Sequence, residues 1–388
     1  MDNNIKTITL TSIIDAGSLN YDEGLSVISP LKKINTGKGI RVYMSPQAFK
    51  YSLYTTCQDL FKWRLSEVKS MGSGDKKVTQ RVSSIIESEE VDLFGTMVTF
   101  SGGQGYKREA IVRVSPTIST CNYEGDKELL TNMGLSYRIE ENPNMANIEH
   151  DRNLYKYSIT IDYDRIGKDE FKIAFLKENK NTKIKEIQNF FGGEKKEDLE
   201  NKINEVFKDL NNTENTLNFF FKCIKFKGFI NFEESEFLEL FLNKVKNIQM
   251  LKTFEITEKY ITISFKIELT KEEINKRTNQ ILDGIYYLYR DIRGRRENLS
   301  PIFCIGTKGE KRLPIFANIV DVFYIDDKPT INTKQIEEFC QKECLEINKT
   351  YKLGGLENKF KNNFADSPKD VINFLKIGNE NECSKDNN

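Results

Sequence analysis

The sequence predicts an α+β protein built on a split βαβ, ferredoxin-like sheet. Three observations carry that reading. Extended runs occur at 5–14, 154–164, 259–269 and 319–326. Two amphipathic helical patterns, at 46–69 and 271–289, lie between them. With 167–255 set aside, the elements follow the order strand, helix, strand, strand, helix, strand.

The first run, IKTITLTSII, is β-branched and reads as a strand, and RVYMS at 41–45 is a second short extended piece. Ser45-Pro46 then has the form of an N-cap followed by proline at the first helical position. Phe49, Leu53, Cys57, Leu60 and Phe61 follow at helical spacing, and Leu65 and Val68 continue the stripe, which predicts a helix over 46–69. VDLFGTMVTF at 91–100 and AIVRVSPTI at 110–118 read as strands around a Gly-rich loop. LYKYSITIDYD alternates strictly, with Tyr155, Tyr157, Ile159, Ile161 and Tyr163 on one face. The 271–289 helix buries Ile274, Ile281, Ile285 and Leu288, with Thr270 as its cap. Between 167 and 255 the composition shifts to Lys, Asn, Glu and Phe with helical patterns at 196–210 and 233–250, so an inserted, mostly helical region is expected.

Bulk composition excludes more than it suggests. The 388 residues carry 58 acidic and 58 basic side chains, so any case for a polyanion partner must be local. No apolar run approaches a membrane span, and the start MDNNIKTITLTSII does not have the form of a signal peptide. Seven scattered cysteines fit reduced, cytoplasmic usage. The single histidine, His150, lies in a polar run that reads as an exposed loop, which argues against histidine-dependent hydrolysis and His-ligated metals. No Walker loop or dinucleotide fingerprint occurs. Neither metal nor cofactor is expected.

The local case exists. No Asp or Glu occurs between Glu23 and Asp59, where evenly scattered acids would place about five. That interval carries Lys32, Lys33, Arg41 and Lys50 around a predicted helix start, with Ser45 and Gln47 as neutral hydrogen-bonding groups. Helix N–H groups, cations and absent carboxylates suit phosphate. A second cluster, Arg290, Arg293, Arg295, Arg296 and then Lys308, Lys311 and Arg312, follows the 271–289 helix. In a ferredoxin-like arrangement both could border one groove. The basic-Gly-aromatic signature of base-stacking sheets is missing.

The motifs 18-SLNYDEG-24, 37-GKGIRVYMSPQAFKYSLY-54, 92-DLFGTM-97, 112-VRVSPTIS-119, 154-LYKYSITIDYDRIG-167 and 277-RTNQILDGIYYLYRDIRGRRENLSPIF-303 together resemble the CRISPR-associated Cas-seven family, DevR/Cst type. The resemblance covers about 1–166 and 255–330. It implies an RNA-recognition-motif-like palm with large finger and thumb insertions. The palm would run over 1–119, 155–166 and 256–330, with a thumb at 120–154 and the insertion at 167–255. A C-terminal helical extension at 331–377 and a disordered tail at 378–388 lie outside the match. The implied role is the backbone of a type I surveillance complex (Cascade), subtype I-B. Copies would polymerise head to tail along a CRISPR RNA and present it to a target DNA strand beside other Cascade subunits.

By the match, Asn20, Lys32, Lys33, Arg41, Ser45, Gln47 and Lys50 hold the guide, and Arg293, Arg295, Arg296 and Asn298 approach it from the other side. Met97, Leu135 and Met145 are candidates for a wedge at a kink in the guide. The chain departs from the family where Tyr51 and Tyr54 partly replace basic residues. Asp92 reads as structural. The alternative is a guide-dependent ribonuclease using a loop aspartate, for which Asp15 and Asp22 are the candidates.

Overall fold

The computed structural model describes residues 5–22, 28–71, 77–99, 105–176, 190, 205, 213–227, 243–251, 255–256, 260–343, 351–354 and 367–378. The predicted helix at 196–210, the final tail and the SGGQG loop lie mostly or wholly outside them. The chain divides into two compact units, one from residues 1–62, 112–164 and 278–388, the other from 63–111 and 165–277.

The first unit is organised on an eight-stranded sheet. Its order is Tyr351–Gly354, Phe303–Gly309, Thr7–Gly17, Arg152–Ile161, Thr117–Ser119, Ile40–Met44, Lys33–Asn35, and Val112–Val114 also pairs with Arg152–Ile161. Every pairing is antiparallel. The register sets Ile8 opposite Ile161, Leu10 opposite Ile159 and Ser12 opposite Tyr157. Because side chains alternate across a strand, that register puts these residues on one face. Helix Pro46–Phe61 covers that face, with Phe49 and Tyr157 ring centroids 4.6 Å apart. Helix Lys271–Tyr286 belongs to this unit from Thr278 onward, and Gly284 lets it approach so closely that a Cβ would overlap Cys57 Sγ. Helix Pro368–Leu375 packs Leu375 against Gly306. On the opposite face, Ile13, Leu154, Phe303 and Ile305 meet an apolar layer of Phe316, Val320, Ile331 and Ile336.

Several expectations need correction. Helix Pro46–Phe61 stops at Lys62, in the left-handed region at φ 57, and Val68 lies in a strand. The 91–100 strand begins instead as helix Glu89–Phe94, capped by Ser88, because Glu89 and Glu90 complement the positive helix end. The strand that joins the main sheet after the 271–286 helix is Phe303–Gly309, whereas among the described residues Val322–Ile325 pairs only with Lys328–Ile331. Tyr260–Leu269 belongs to the second unit. His150 ends strand Met145–His150 rather than lying in a loop, with Nε2 2.7 Å from Glu128. Thr270 does cap its helix, accepting from Glu273 N–H at 3.3 Å.

The second unit pairs Lys168–Leu176 and Val245–Met250 on either side of Tyr260–Leu269. Val245–Met250 is therefore a strand where periodicity predicts helix. The described part of 167–255 is mixed rather than mostly helical, its long helix being Thr213–Phe226. Phe220 packs on Phe265 and Phe171 at 4.9 and 5.6 Å.

Asp92, fully buried, ties the two chain segments of this unit together. Its carboxylate meets Arg108, Arg277 at 2.8 Å and the Gly167 N–H at 3.1 Å. Arg277 is itself fully buried and also meets Glu273 at 2.9 Å and the Ile85 carbonyl at 2.8 Å. Removing one partner of such a pair strands the others in a dry site. Asp92→Asn should therefore destabilise the protein by about 3–5 kcal/mol, read as a lower denaturant midpoint; an unchanged midpoint would contradict the assignment.

Glu87 gives a pH signature. Burial pushes its carboxyl up to about 7 from an ordinary 4.5, against hydrogen bonds from the Ser84 N–H and hydroxyl at 2.8 and 2.7 Å. The folded state therefore holds this proton more tightly than the unfolded chain. The stabilisation is complete below pH 4.5 and is lost as pH rises through about 7. Glu87→Gln should flatten the fall in stability across that window, and an unchanged profile would count against it.

Candidate nucleic-acid interface

The sequence around 29–54 folds as a hairpin followed by a capped helix. Lys33–Asn35 pairs with Ile40–Met44, and the connecting turn carries Lys38. Gly39 sits at φ +129, and a Cβ there would run into Asn122, so the turn requires glycine. Ser45 takes an extended conformation and accepts the Ala48 N–H at 3.2 Å, with Pro46 at the first helical position. No acidic residue lies in the first turn, which leaves the positive helix end uncompensated by its own sequence.

The second segment is the hairpin Tyr289–Ile292 with Arg295–Asn298, turning through Arg293 and Gly294 at φ 47 and 77. Two arginines fasten it. Arg290 donates through Nε to the Leu19 carbonyl at 2.9 Å and through a terminal nitrogen to Ser52 Oγ at 3.0 Å. Arg295 donates to the carbonyls of Gly17 and Ser18 at 2.9 and 3.2 Å. These bonds bring the end of the first strand, the 46–61 helix and the 289–298 hairpin into one place. Asn20, buried, joins them by accepting the Lys32 N–H on its carbonyl at 2.9 Å.

The individual candidates then separate by what they touch. Arg41 spans to the Ser119 carbonyl at 2.9 Å, and neither it nor the exposed Lys38 meets a carboxylate among the described residues. Arg293 is exposed and lies over the Tyr21 ring, 4.2 Å from its centroid. Gln47 is exposed, and Lys50 is half-buried on the same helix. Arg296, exposed, pairs with Asp291 through two bonds at 2.8 and 2.9 Å and stacks 4.4 Å over Tyr289. Asn298 accepts the Ser300 N–H.

The patch is free of acids in sequence but not in space. Lys33 pairs with Glu149 at 2.6 Å, and Lys32 lies 3.9 Å from Asp22. Burial alone would raise the Glu149 carboxyl, yet Lys33 and the Leu31 N–H at 2.8 Å hold it below its ordinary value. Sequence reasoning missed Glu149 because it arrives from 116 residues away. The remaining basic residues of the second cluster lie elsewhere. Lys308 donates to the Lys376 carbonyl, Lys311 pairs with Glu343 at 2.7 Å, and Arg312 pairs with Asp162 and Asp164.

A cleft of about 520 Å³ opens beside Gly17 and Arg295. Its carboxylates, Glu124, Asp126, Asp151 and Glu297, make it a poor phosphate site. Burial raises the Asp151 carboxyl while the Tyr155 hydroxyl donates to it at 2.7 Å.

The three wedge candidates are all exposed apolar side chains. Leu135 lies on the short helix Met133–Ser136 at the end of the hairpin Asp126–Thr131 with Met145–His150, where Met145 opens the second strand. Met97 lies in the second unit, on the hairpin Thr96–Thr99 with Gly105–Arg108. Of the two ribonuclease candidates, Asp15 departs from the loop position expected of it. Asp15 sits inside strand Thr7–Gly17, paired with Arg152 at 3.2 Å, rather than on a loop. Among the described residues, no cluster of His, Cys, Asp or Glu could hold a metal ion, and no helix is long and apolar enough to cross a membrane.

The family described as "CRISPR-associated negative auto-regulator DevR/Csa2" matches residues 8–329. No curated protein sequence matches the chain. Two solved structures are similar to it at 8% identity. One, titled "CRISPR RNA-guided surveillance complex", covers 95% of this chain and 97% of its own at a TM-score of 0.44. The other, "CRISPR RNA-guided surveillance complex, pre-nicking", covers 95% and 98% at a TM-score of 0.46.

Proposed function

The chain belongs to the CRISPR-associated DevR/Csa2 family, and from that premise we propose that it is a non-catalytic, CRISPR RNA-binding backbone subunit of a type I, subtype I-B, surveillance complex. One observation supports this most. The 289–298 hairpin, the 46–61 helix start and the end of the first strand meet in one unit, with Lys38, Arg41 and Arg293 clear of described carboxylates. Ribose-phosphate is the ligand that such a surface accepts irrespective of base. Copies line one guide RNA head to tail, and pairing rather than protein reads the target DNA. The complex, with its other subunits, works in the cytoplasm.

The sheet order Phe303–Gly309, Thr7–Gly17, Arg152–Ile161, Thr117–Ser119, with helical crossovers, matches the split βαβ pattern and supports an RNA-recognition-like palm. The opposite face is covered by an apolar layer, helix Thr333–Lys342 included, packed on Ile13, Phe303 and Ile305, so bases do not stack there as they do on aromatic sheet platforms. The guide runs instead along the 33–54 edge. The 126–150 hairpin is the thumb, and Leu135 or Met145 is its wedge.

Binding should be tolerant of RNA sequence and steeply salt-dependent, falling by about 0.7 log units per log unit of salt for each neutralised phosphate. A flat titration would contradict the interface. Arg41→Glu combined with Lys50→Glu should abolish RNA-dependent oligomers while leaving the circular dichroism spectrum unchanged; oligomers that persist would make the patch merely solvated. With labelled guide, complementary RNA and Mg²⁺, protection without cleavage is expected. Site-specific cleavage lost on Asp15→Ala would replace this reading with the ribonuclease.

A further inference from the structure

We propose that Tyr51 is a stacking subsite for one nucleobase of the bound single-stranded RNA, an inference that rests on the function proposed above. Tyr51 projects from the second turn of helix Pro46–Phe61 and is 57% exposed, more than any other large apolar side chain among the described residues of helices of eight residues or more. Its ring is not loose. Tyr54 meets it edge-on at 5.1 Å between centroids and 73° between planes, an arrangement that fixes aromatic rings by their quadrupoles. An edge-on neighbour holds the ring without covering both of its faces.

The surroundings favour a nucleic acid as occupant. Arg290 bonds to the Ala48 carbonyl at 3.4 Å and Ser52 Oγ at 3.0 Å, so a guanidinium is anchored to residues on both sides of Tyr51 in the sequence. The hairpin that carries it places Arg296 over Tyr289. The Tyr289 hydroxyl lies 3.5 Å from Asp59, two turns further along the same helix as Tyr51. Gln47, one turn before Tyr51, is exposed and can reach the same ligand. The nearby acids, Asp59 and Asp291, are engaged with Tyr289 and Arg296.

Aromatic rings interleaved with cations bind single strands in a sequence-tolerant way, because every base has a π-face while cations hold the phosphates. That tolerance is what a carrier of arbitrary guides needs. The wedge candidates lie on or beside other hairpins, so they do not account for Tyr51.

The test uses the full chain, fluorescence anisotropy and two labelled probes of equal length: a mixed-sequence single-stranded RNA and an abasic ribose-phosphate oligomer. Thermal unfolding of each variant checks the fold. Tyr51→Ala should bind the RNA about tenfold more weakly with an unchanged salt slope, and should bind the abasic oligomer as the unaltered chain does. Tyr51→Phe should keep RNA affinity. The subsite is overturned if Tyr51→Ala binds RNA normally, or weakens RNA and abasic oligomer alike. It is equally overturned if the change alters self-association without RNA and leaves RNA affinity intact, which would mark a protein contact. Failure of the unaltered chain to bind any RNA would instead overturn the proposed function, and the subsite with it.

Discussion

Two guanidinium groups capture the carbonyls at the end of the first strand, and the arrangement of the candidate interface depends on that capture. Thr7–Gly17 runs through the middle of the sheet and stops, leaving the carbonyls of Gly17, Ser18 and Leu19 to find donors outside the ladder. Arg290 and Arg295 supply them, from nearly 280 residues away. Burial pushes the Arg290 guanidinium below its ordinary pKa, because desolvation disfavours its charged form. Three hydrogen bonds to fixed acceptors offset that cost. Without them the 289–298 hairpin would have no reason to lie against the 46–61 helix, and two basic segments would remain two separate loops.

The same bonds change what the charges are for. A count of basic residues near 290–312 suggests one large cationic cluster, but the structure spends most of them on protein. Arg290 and Arg295 bind carbonyls, Arg296 binds Asp291, and Lys311 and Arg312 pair with acids of other segments. Lys33 is neutralised by Glu149. What is left over for a polyanion is smaller and better placed: Lys38 at a turn, Arg41 on the strand next to the sheet edge and Arg293 at a hairpin tip. Surface pairs such as Lys32 with Asp22 are weak and open readily to a competing phosphate.

Much of the fold was legible because it rests on local patterns. The alternation from Tyr155 to Ile161, the Ser45-Pro46 cap and the Thr270 cap each appear where periodicity and capping chemistry place them, although that strand ends at Ile161 and Tyr163 begins a 3-10 turn. The errors have physical causes. The stripe through Leu65 and Val68 continues helical spacing, but Lys62 in a left-handed conformation ends the helix first. Glu89 and Glu90 turn an apolar run into a short helix. Val245–Met250 is pulled into a sheet by its neighbour Tyr260–Leu269, which no local pattern reveals. At the interface, sequence could show where acids were absent along the chain, not that Glu149 would return to Lys33 through a strand pairing. Asp92 illustrates the opposite case. Its sequence context suggested a structural residue, and it is the buried centre of an ion cluster.

The most direct measurement is to cross-link the full-length protein to single-stranded guide RNA with ultraviolet light and identify the joined peptides by mass spectrometry. Adducts concentrated in 29–54 and 289–298 are the expected result, since those stretches form the surface through which the backbone of the guide would run. Adducts confined to the 126–150 hairpin or to 63–111, with none in those two stretches, would place the RNA elsewhere and contradict the account.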